Sequence, residues 1–316
     1  MNINQRTRAA QKRSYMLICD MHCDSLLTVS SEVGLLNEYN HSKKGTHLQL
    51  FAHFIPKANE SPESRRRRLM SYCNVYLSEV ARLGIEPLYD CRSVMEMGRG
   101  VHSMLSIEGG GGLFADSSEL TLLWRAGLRV LGLAWDTNEL SASAWDDNDT
   151  GLTERGAALA RVATEMGIIL DVSHASDKAF YQMHEIIPYP MLATHSNFRS
   201  VANSPRNLTD DMAKELVSRG GVIGLNLYPG FLNTERDADT NDVLRHVDYA
   251  LTRFGDECLG FGCDIDGTDG RYPKGIRSDA SIHEQLCDLF LSKYSASTVE
   301  KIAGENIKRF FAENLT

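Results

Sequence analysis

The chain has 316 residues and a formal net charge of −9, which argues against a nucleic-acid or anionic-membrane surface because phosphate groups are bound by clustered Lys and Arg. Its seven cysteines are scattered without a Cys-x-x-Cys pair, so neither a disulfide framework nor a thiolate zinc site is indicated. We expect a cytoplasmic protein with no membrane anchor, a flexible leader over residues 1–14 and a single domain over 15–316.

The first apolar run, residues 16–20 or slightly longer, leads into His22 and Asp24. In a β-strand, side chains at i and i+2 leave the same face, so this imidazole and carboxylate would point to one place. A short helix is expected over residues 24–33, followed by a polar connection at 38–46. The next strand, residues 47–55, alternates in hydrophobicity, and His53 near its end is a further candidate for a pocket wall.

Ser61 and Pro62 open a long predicted helix that ends near Leu83. Its arginine run, residues 65–68, points around most of the helix circumference, which favours a solvated surface over an anion-binding patch. The following strand, over 103–107, leads to Glu108 and then to four glycines. These glycines do not form a P-loop, because Gly-Lys-Ser/Thr does not follow them.

The rest of the chain continues to alternate strands with helices. Further strands are predicted over residues 128–134, 168–172, 190–194, 222–227 and 258–263, and helices over 117–126, 152–166, 176–187, 208–218, 240–254, 281–292, 297–303 and 304–314. His195 and Asp264 directly follow two of these strands, and His174 follows the strand over 168–172 after one residue. Eight apolar strands that alternate with helices predict an α/β fold, a (β/α)₈ TIM barrel of the metal-dependent hydrolase type.

In such a barrel the C-terminal strand ends share one face, so the side chains placed there should converge. The converging ligand-type residues are His22, Asp24, Glu108, His174, His195 and Asp264. They exceed the three protein ligands of a catalytic zinc, whereas two divalent ions that share a carboxylate would use them all and activate a water for hydrolysis. Structural or surface roles are predicted for the histidines in other stretches: His102, His184, His246 and His283.

Several stretches carry a resemblance to a known family. They are Asp20-Met-His-Cys-Asp24, Ser106-Ile-Glu-Gly-Gly110, Leu152-Thr-Glu-Arg-Gly156, Gly167-Ile-Ile-Leu-Asp-Val-Ser-His174, Thr194-His-Ser196, Pro205-Arg-Asn207, Gly262-Cys-Asp-Ile-Asp-Gly267 and Gly304-Glu-Asn306. In this order they resemble the membrane (renal) dipeptidase family, the M19 metallopeptidases of the amidohydrolase superfamily. The resemblance implies two Zn²⁺ ions, one held by His22 and Asp24, the other by His174 and His195, with Glu108 bridging both.

The resemblance also implies the catalytic and substrate-binding residues. Glu108 and Asp264 are the expected catalytic residues, Asp264 as the proton carrier. Arg206 is expected to receive the C-terminal carboxylate of a dipeptide, since a guanidinium fork suits a carboxylate. Substrate contacts are also expected from Asn138 and Tyr228. A homodimer and tolerance of a C-terminal D-residue are implied as well.

Trp135 departs from the family members that resemble the mammalian enzyme, which have a carbonyl-polarising histidine at the corresponding position. An indole N–H donates one hydrogen bond but carries no positive charge. Trp135 would therefore reshape the substrate pocket. Hydrolysis of dipeptides is the leading expectation, hydrolysis of N-acyl amino acids or lactones the first alternative, and a non-catalytic metal-binding barrel the second.

Overall fold

The computed structural model describes residues 16–28, 45–54, 61–114 and 116–316. The strands are β1 (Ile18–Cys23), β2 (Thr46–Phe54), β3 (Glu86–Pro87), β4 (Gly100–Glu108), β5 (Leu128–Gly132), β6 (Ile169–Asp171), β7 (Ile223–Leu225) and β8 (Leu259–Phe261). The α-helices are α1 (Pro62–Leu83), α2 (Cys91–Met95), α3 (Ser117–Arg125), α4 (Glu154–Glu165), α5 (Asp177–Ile186), α6 (Asp210–Ser218), α7 (Pro229–Leu232), α8 (Thr240–Phe254), α9 (Ile282–Leu291), α10 (Ala296–Glu300) and α11 (Asn306–Asn314). The predicted leader and residues 29–33 of the predicted 24–33 helix lie outside the described residues, and the described part of that helix is a 3₁₀ turn over Ser25–Thr28.

The strands form one curled, parallel sheet in the order β6-β5-β4-β2-β1-β8-β7, with the short β3 paired to the start of β4. β2 and β4 pair in continuous register from Thr46 beside Gly100 to Phe54 beside Glu108. Both strands are buried over almost their whole length, although β2 alternates apolar with polar residues, because both faces of the sheet are covered. This register places Glu108 at the carboxyl edge of the sheet.

The segment predicted as a strand over residues 190–194 is not a regular strand. Leu192 forms a parallel bridge to Asp171 of β6, and Ala193 forms one to Ile223 of β7. Pairing changes from one neighbour to the other within two positions, and Pro190 has no backbone N–H to extend it. Both outer strands of the sheet nevertheless hydrogen-bond to this short segment, which carries His195 directly after it.

Alternate residues of β2 enter two buried clusters. Leu48 and Leu50 pack with Met104 on the inner side of the sheet, whereas Phe51 faces the helices and its ring lies 6.3 Å from that of Tyr76 in α1. His53 has the same parity as Phe51.

The ring of His53 stacks on Tyr72 of α1 at 4.5 Å. The expectation that His53 lines the substrate pocket is therefore wrong, because its side chain lies on the helix side of the sheet.

The arginine run at the start of α1 is only partly a solvated surface. Arg65 is 6% exposed, and its Nη2 donates to Glu139 Oε2 at 2.7 Å. Glu139 Oε1 in turn accepts from the backbone N–H of Gly112 at 2.7 Å. The first turn of α1 lies so close to this loop that a Cβ on Gly112 would stand 2.7 Å from the carbonyl oxygen of Pro62. Arg65 thus joins α1 to the glycine loop that follows Glu108.

The C-terminal helices form a continuous run instead of two separate ones. Between α10 and α11 the backbone makes a π-helical turn over Lys301–Glu305. Gly304 packs there against β1, where a Cβ would come within 2.7 Å of the carbonyl oxygen of Leu17. The Asn306 amide donates to the backbone oxygens of Asp256 and Leu259, at 2.7 and 2.8 Å. Within the described ranges, no helix is both long and apolar enough to cross a membrane.

Candidate metal centre

β1 brings His22 and Asp24 to the carboxyl edge of the sheet as buried side chains, 1% and 4% exposed. Behind them lies Asp20, whose Oδ1 accepts from the backbone N–H groups of His22 and Cys263, each at 3.1 Å. Its Oδ2 lies 2.7 Å from Nε2 of His283 in α9. Asp20 therefore fixes the backbone of His22 relative to the end of β8.

Glu108 lies between two groups of ligand-type side chains. Its Oε1 is 2.5 Å from His174 Nε2 and 3.0 Å from His195 Nε2, while its Oε2 is 3.7 Å from His22 Nε2. The same His22 nitrogen lies 3.6 Å from Asp24 Oδ2. The two oxygens of one carboxylate thus face different sets of ligands, as sharing between two cations would require.

Donor atoms without partners show that these residues fit a divalent metal. In the described part of the chain, no hydrogen-bond partner is found for either ring nitrogen of His22 or for Asp24 Oδ1, although buried polar atoms are normally paired. His174 Nε2 and His195 Nε2 lie 3.0 Å apart. Two nitrogens bound to one zinc at ~2.0–2.1 Å would stand roughly 3.0–3.4 Å apart.

At Glu108 and His195 the electrostatics favour the protonation states that metal ligands need. Burial raises the pKa of Glu108, but His174 and His22 outweigh it and hold this pKa well below its usual range. Burial, with the charges of His22 and Arg206, lowers the pKa of His195 well below its usual value. A charged carboxylate beside a neutral imidazole is the state that coordinates metal.

His22 and Asp24 show the excess of negative charge directly. Burial lowers the pKa of His22, but the nearby carboxylates, Glu108 first among them, outweigh it and raise the pKa to about 10. Burial raises the pKa of Asp24 to about 7. Without metal, the protein therefore holds protons on these two side chains. A bound cation would relieve the same repulsion between the carboxylates.

A buried relay that the sequence reasoning missed orients His195. The Thr194 hydroxyl oxygen lies 2.8 Å from His195 Nδ1, and the same hydroxyl donates to Asp171 Oδ2 at 2.5 Å. A hydroxyl that donates to Asp171 can only accept from the imidazole, so Nδ1 carries the proton and the Nε2 lone pair faces Glu108. The sequence signal for this relay was Thr194, a polar residue that stands between the apolar segment and His195.

Two of the predicted site residues have a left-handed backbone. His174 has φ 65° and Asp264 has φ 58°, a conformation that non-glycine residues seldom adopt and that is concentrated at functional sites. The carbonyl of His174 accepts from the N–H of Ala144 at 2.8 Å. Each residue turns the chain sharply at a strand end, where its side chain meets the cluster.

Asp264 is held at one oxygen and faces the cluster with the other. The Asn226 amide donates to Asp264 Oδ2 at 3.1 Å, while Oδ1 lies 3.9 Å from His22 Nε2. Burial raises the pKa of Asp264. The sequence prediction extended the strand through Asn226 and so missed its role, although a polar residue at the end of an apolar strand was visible.

Arg206 is buried beside the cluster, 2% exposed. Its Nη1 donates to Ser196 Oγ at 3.0 Å, and its Nη2 lies 2.6 Å from His195 Nε2. Tyr228 is the N-cap residue of α7, and its ring lies 4.6 Å from that of Phe231. Arg206 and Tyr228 thus lie on one side of the centre.

Trp135 and Asn138 follow β5. The Trp135 ring stacks on Phe54 at 5.1 Å and lies 6.1 Å from the ring of His174, so it forms an apolar wall of the centre. Gly109 leaves room for Trp135, since a Cβ on Gly109 would be 3.0 Å from the backbone nitrogen of Trp135. The Asn138 amide donates to carbonyls of its own loop, those of Leu133 and Asp136, and its oxygen accepts from the N–H of Leu140.

The chain is similar to several known proteins. An uncharacterized protein in the pqqA 5′ region of Klebsiella pneumoniae is 30% identical over 211 residues, 63% of this chain and 77% of that protein. Dipeptidase 3 of Mus musculus is 28% identical over 218 residues, 66% of this chain but only 44% of its own length. The chain thus spans less than half of that curated relative.

A solved structure has the same fold. It is a metallopeptidase from Rhodobacter sphaeroides liganded with a phosphinate mimic of the dipeptide L-Ala-D-Ala, with a TM-score of 0.81 at 23% identity, covering 96% of this chain and 100% of that chain. The model of the membrane dipeptidase family, peptidase family M19, matches residues 6–315. Since this match takes in nearly all of the sequence, the chain belongs to the membrane dipeptidase family of metallopeptidases.

Proposed function

We propose that the protein is a zinc-dependent dipeptidase with two metal ions. The observation that carries this proposal is the position of Glu108, whose Oε1 faces His174 and His195 while its Oε2 faces His22. His22 and Asp24 would hold one ion, and His174 and His195 the other. Bound divalent ions supply Lewis-acid polarisation and activate water at neutral pH.

Arg206 is proposed to bind the C-terminal carboxylate of the substrate. Its guanidinium lies 2.6 Å from the His195 nitrogen that would serve as a ligand, and one lone pair cannot serve both a metal and Arg206. When His195 is a ligand, the Nη2 group of Arg206 that now faces its ring nitrogen is free to donate to a carboxylate. The short distance between Arg206 and the centre leaves room for one residue after the scissile bond, which favours dipeptides.

Asp264 is proposed to carry the proton. Because Asn226 holds Oδ2, Oδ1 is the oxygen that can accept a proton from the attacking water and pass it to the leaving amine. Burial of the carboxyl raises its pKa, which brings a carboxylate closer to the range in which it both takes up and releases protons.

The fold is proposed to be a closed (β/α)₈ barrel that forms a single domain over residues 15–316. The bridges of Leu192 and Ala193 to β6 and β7 support closure. All seven cysteines are free thiols, which supports a reducing, cytoplasmic location. The homodimer implied by the family remains a prediction.

Hydrolysis of N-acyl amino acids is the second candidate function. The stacked pair of Trp135 and Phe54 favours it, because an apolar wall beside the centre suits an acyl chain better than a free amino group.

The two functions are distinguished by steady-state hydrolysis of L-Ala-L-Ala, L-Ala-D-Ala and N-acetyl-Ala with zinc-loaded protein. We expect the free dipeptides to be cleaved and Glu108→Gln to lose at least ~10³-fold in kcat/KM. Glu63→Gln, the same change at a side chain 78% exposed, serves as the matched control. Cleavage of N-acetyl-Ala alone would establish the second function, and an active Glu108→Gln variant would refute the bridging role.

A further inference from the structure

Three aromatic side chains lie together beside Arg206. The ring centroids of Tyr228 and Phe231 are 4.6 Å apart, and those of Trp145 and Phe231 are 6.0 Å apart. The guanidinium carbon of Arg206 lies 5.7 Å from the Phe231 ring. Trp145 is 54% exposed. We call Tyr228, Phe231 and Trp145 the aromatic surface.

The backbone around Trp145 is fixed in place. The N–H of Ala144 donates to the carbonyl of His174 at 2.8 Å, and the N–H of Trp145 donates to Ser143 Oγ at 3.3 Å. Thr137 Oγ1 donates to Asp146 Oδ2 at 2.8 Å across the same loop. The backbone that carries the exposed indole is therefore fixed relative to the metal centre.

The backbone of Phe231 is fixed as well. Its carbonyl accepts from the side-chain amides of Asn207 at 2.9 Å and Asn197 at 3.4 Å. Both asparagines lie on the segment that carries His195 and Arg206. The aromatic surface is thus built on the same loops as the proposed carboxylate site, and a preorganised apolar surface of this kind binds apolar groups at low entropic cost.

A substrate carboxylate on Arg206 would bring the C-terminal side chain to this surface. Hydrogen bonds of ~2.8 Å place the carboxyl carbon roughly 4 Å from the guanidinium carbon. The Cβ atom of the C-terminal residue lies two bonds beyond this carboxyl carbon. Its distance from the guanidinium carbon is therefore close to the 5.7 Å that separates that carbon from the Phe231 ring. Resting on the proposed function, we propose that the aromatic surface recognises the C-terminal side chain and selects dipeptides whose C-terminal residue is large and apolar or aromatic.

The charges around the surface oppose a cationic side chain. The Arg271 guanidinium carbon lies 4.6 Å from the Tyr228 ring, and Arg206 flanks Phe231 from the other side. With the Arg206 charge taken up by the substrate carboxylate, a Lys or Arg side chain in the substrate would still meet the like charge of Arg271, whose guanidinium also pairs with Asp269 at 3.4 Å. An apolar side chain would cover the exposed part of Trp145 and remove apolar surface from water.

The test is kcat/KM for L-Ala-X dipeptides in which X is Gly, Ala, Leu, Phe, Lys or Asp. We expect Phe and Leu to exceed Ala by roughly tenfold or more and Lys to be the poorest large side chain. Trp145→Ala should lower the Phe/Ala ratio to near one, mainly through KM for the Phe substrate, and Trp145→Phe should restore most of it. Tyr189→Ala is the matched control. Tyr189 is 52% exposed and precedes the 190–194 segment, at the end opposite to His195.

Phe231→Leu provides a second variant that keeps an apolar side chain at this half-buried position, and it should also reduce the ratio. If L-Ala-L-Ala is cleaved but neither variant changes the ratio, or if Lys or Asp is preferred, the inference is overturned while the proposed function stands. An equal loss on every substrate would mean a merely structural role and would also overturn it. If the wild-type protein cleaves no dipeptide, the proposed function itself fails.

Discussion

Thr194→Val would remove the hydroxyl that joins Asp171 to His195 while keeping the shape of the side chain. His195 Nδ1 would lose its partner, and neither tautomer would be favoured. Both neighbours are buried, His195 at 2% and Asp171 at 4% exposure, so water cannot readily replace the hydroxyl. Asp171 Oδ1 would still accept from the N–H groups of Ser173 and residue 194, which should preserve the fold.

Loss of such a supporting hydrogen bond weakens metal affinity about 10–100-fold, which corresponds to about 1.4–2.7 kcal/mol. We expect this loss in a Zn²⁺ titration of the metal-free variant against a chromophoric chelator. Thr164→Val is the matched control, because its hydroxyl on α4 donates to the Ala160 carbonyl at 2.9 Å, far from the centre. Zinc affinity of Thr194→Val within twofold of wild type would refute the relay.

Two further predictions concern stability. Burial lowers the pKa of His246 to about 4. The unfolded state therefore takes up a proton between pH ~6.5 and 4 that the folded state does not bind, and this residue should account for about 2–3 kcal/mol of the fall in the free energy of unfolding from pH 7.5 to 4.5. Urea denaturation at both pH values should show a smaller fall for His246→Gln, and an equal fall would contradict this assignment. Arg65→Ala should lower the free energy of unfolding by about 2–3 kcal/mol, because it leaves Glu139 without its cation. Arg67→Ala is the control and should cost less than ~1 kcal/mol, since the Arg67 side chain is 68% exposed. Similar losses for both variants would show that the buried Arg65 does not stabilise the fold through Glu139.

The approximate positions of most elements could be predicted because hydrophobic periodicity and strand ends are local signals. Parallel strands share one carboxyl edge, so a histidine or carboxylate directly after a strand is brought to that edge whatever the loops do. Glu108 and His195 are separated by 87 residues in sequence (195 − 108), yet their side chains lie 3.0 Å apart. This juxtaposition follows from topology alone.

Features that depend on long-range partners could not be predicted in the same way. Arg65 lies in an arginine run that looks solvated, and only the position of Glu139, 74 residues away, explains its burial. The pairing of His283 with Asp20 spans 263 residues. Local patterns contain no information about such partners.

The left-handed backbone at His174 and Asp264 has a consequence for how the family can diverge. For a non-glycine residue this conformation costs about 1–2 kcal/mol, less for residues such as Asp. Replacement by glycine at either position would therefore remove this backbone strain together with the functional group. Selection for catalysis and selection for stability therefore act in opposite directions at these two positions. In a lineage released from selection for activity, His174 and Asp264 should be among the first site residues to be replaced.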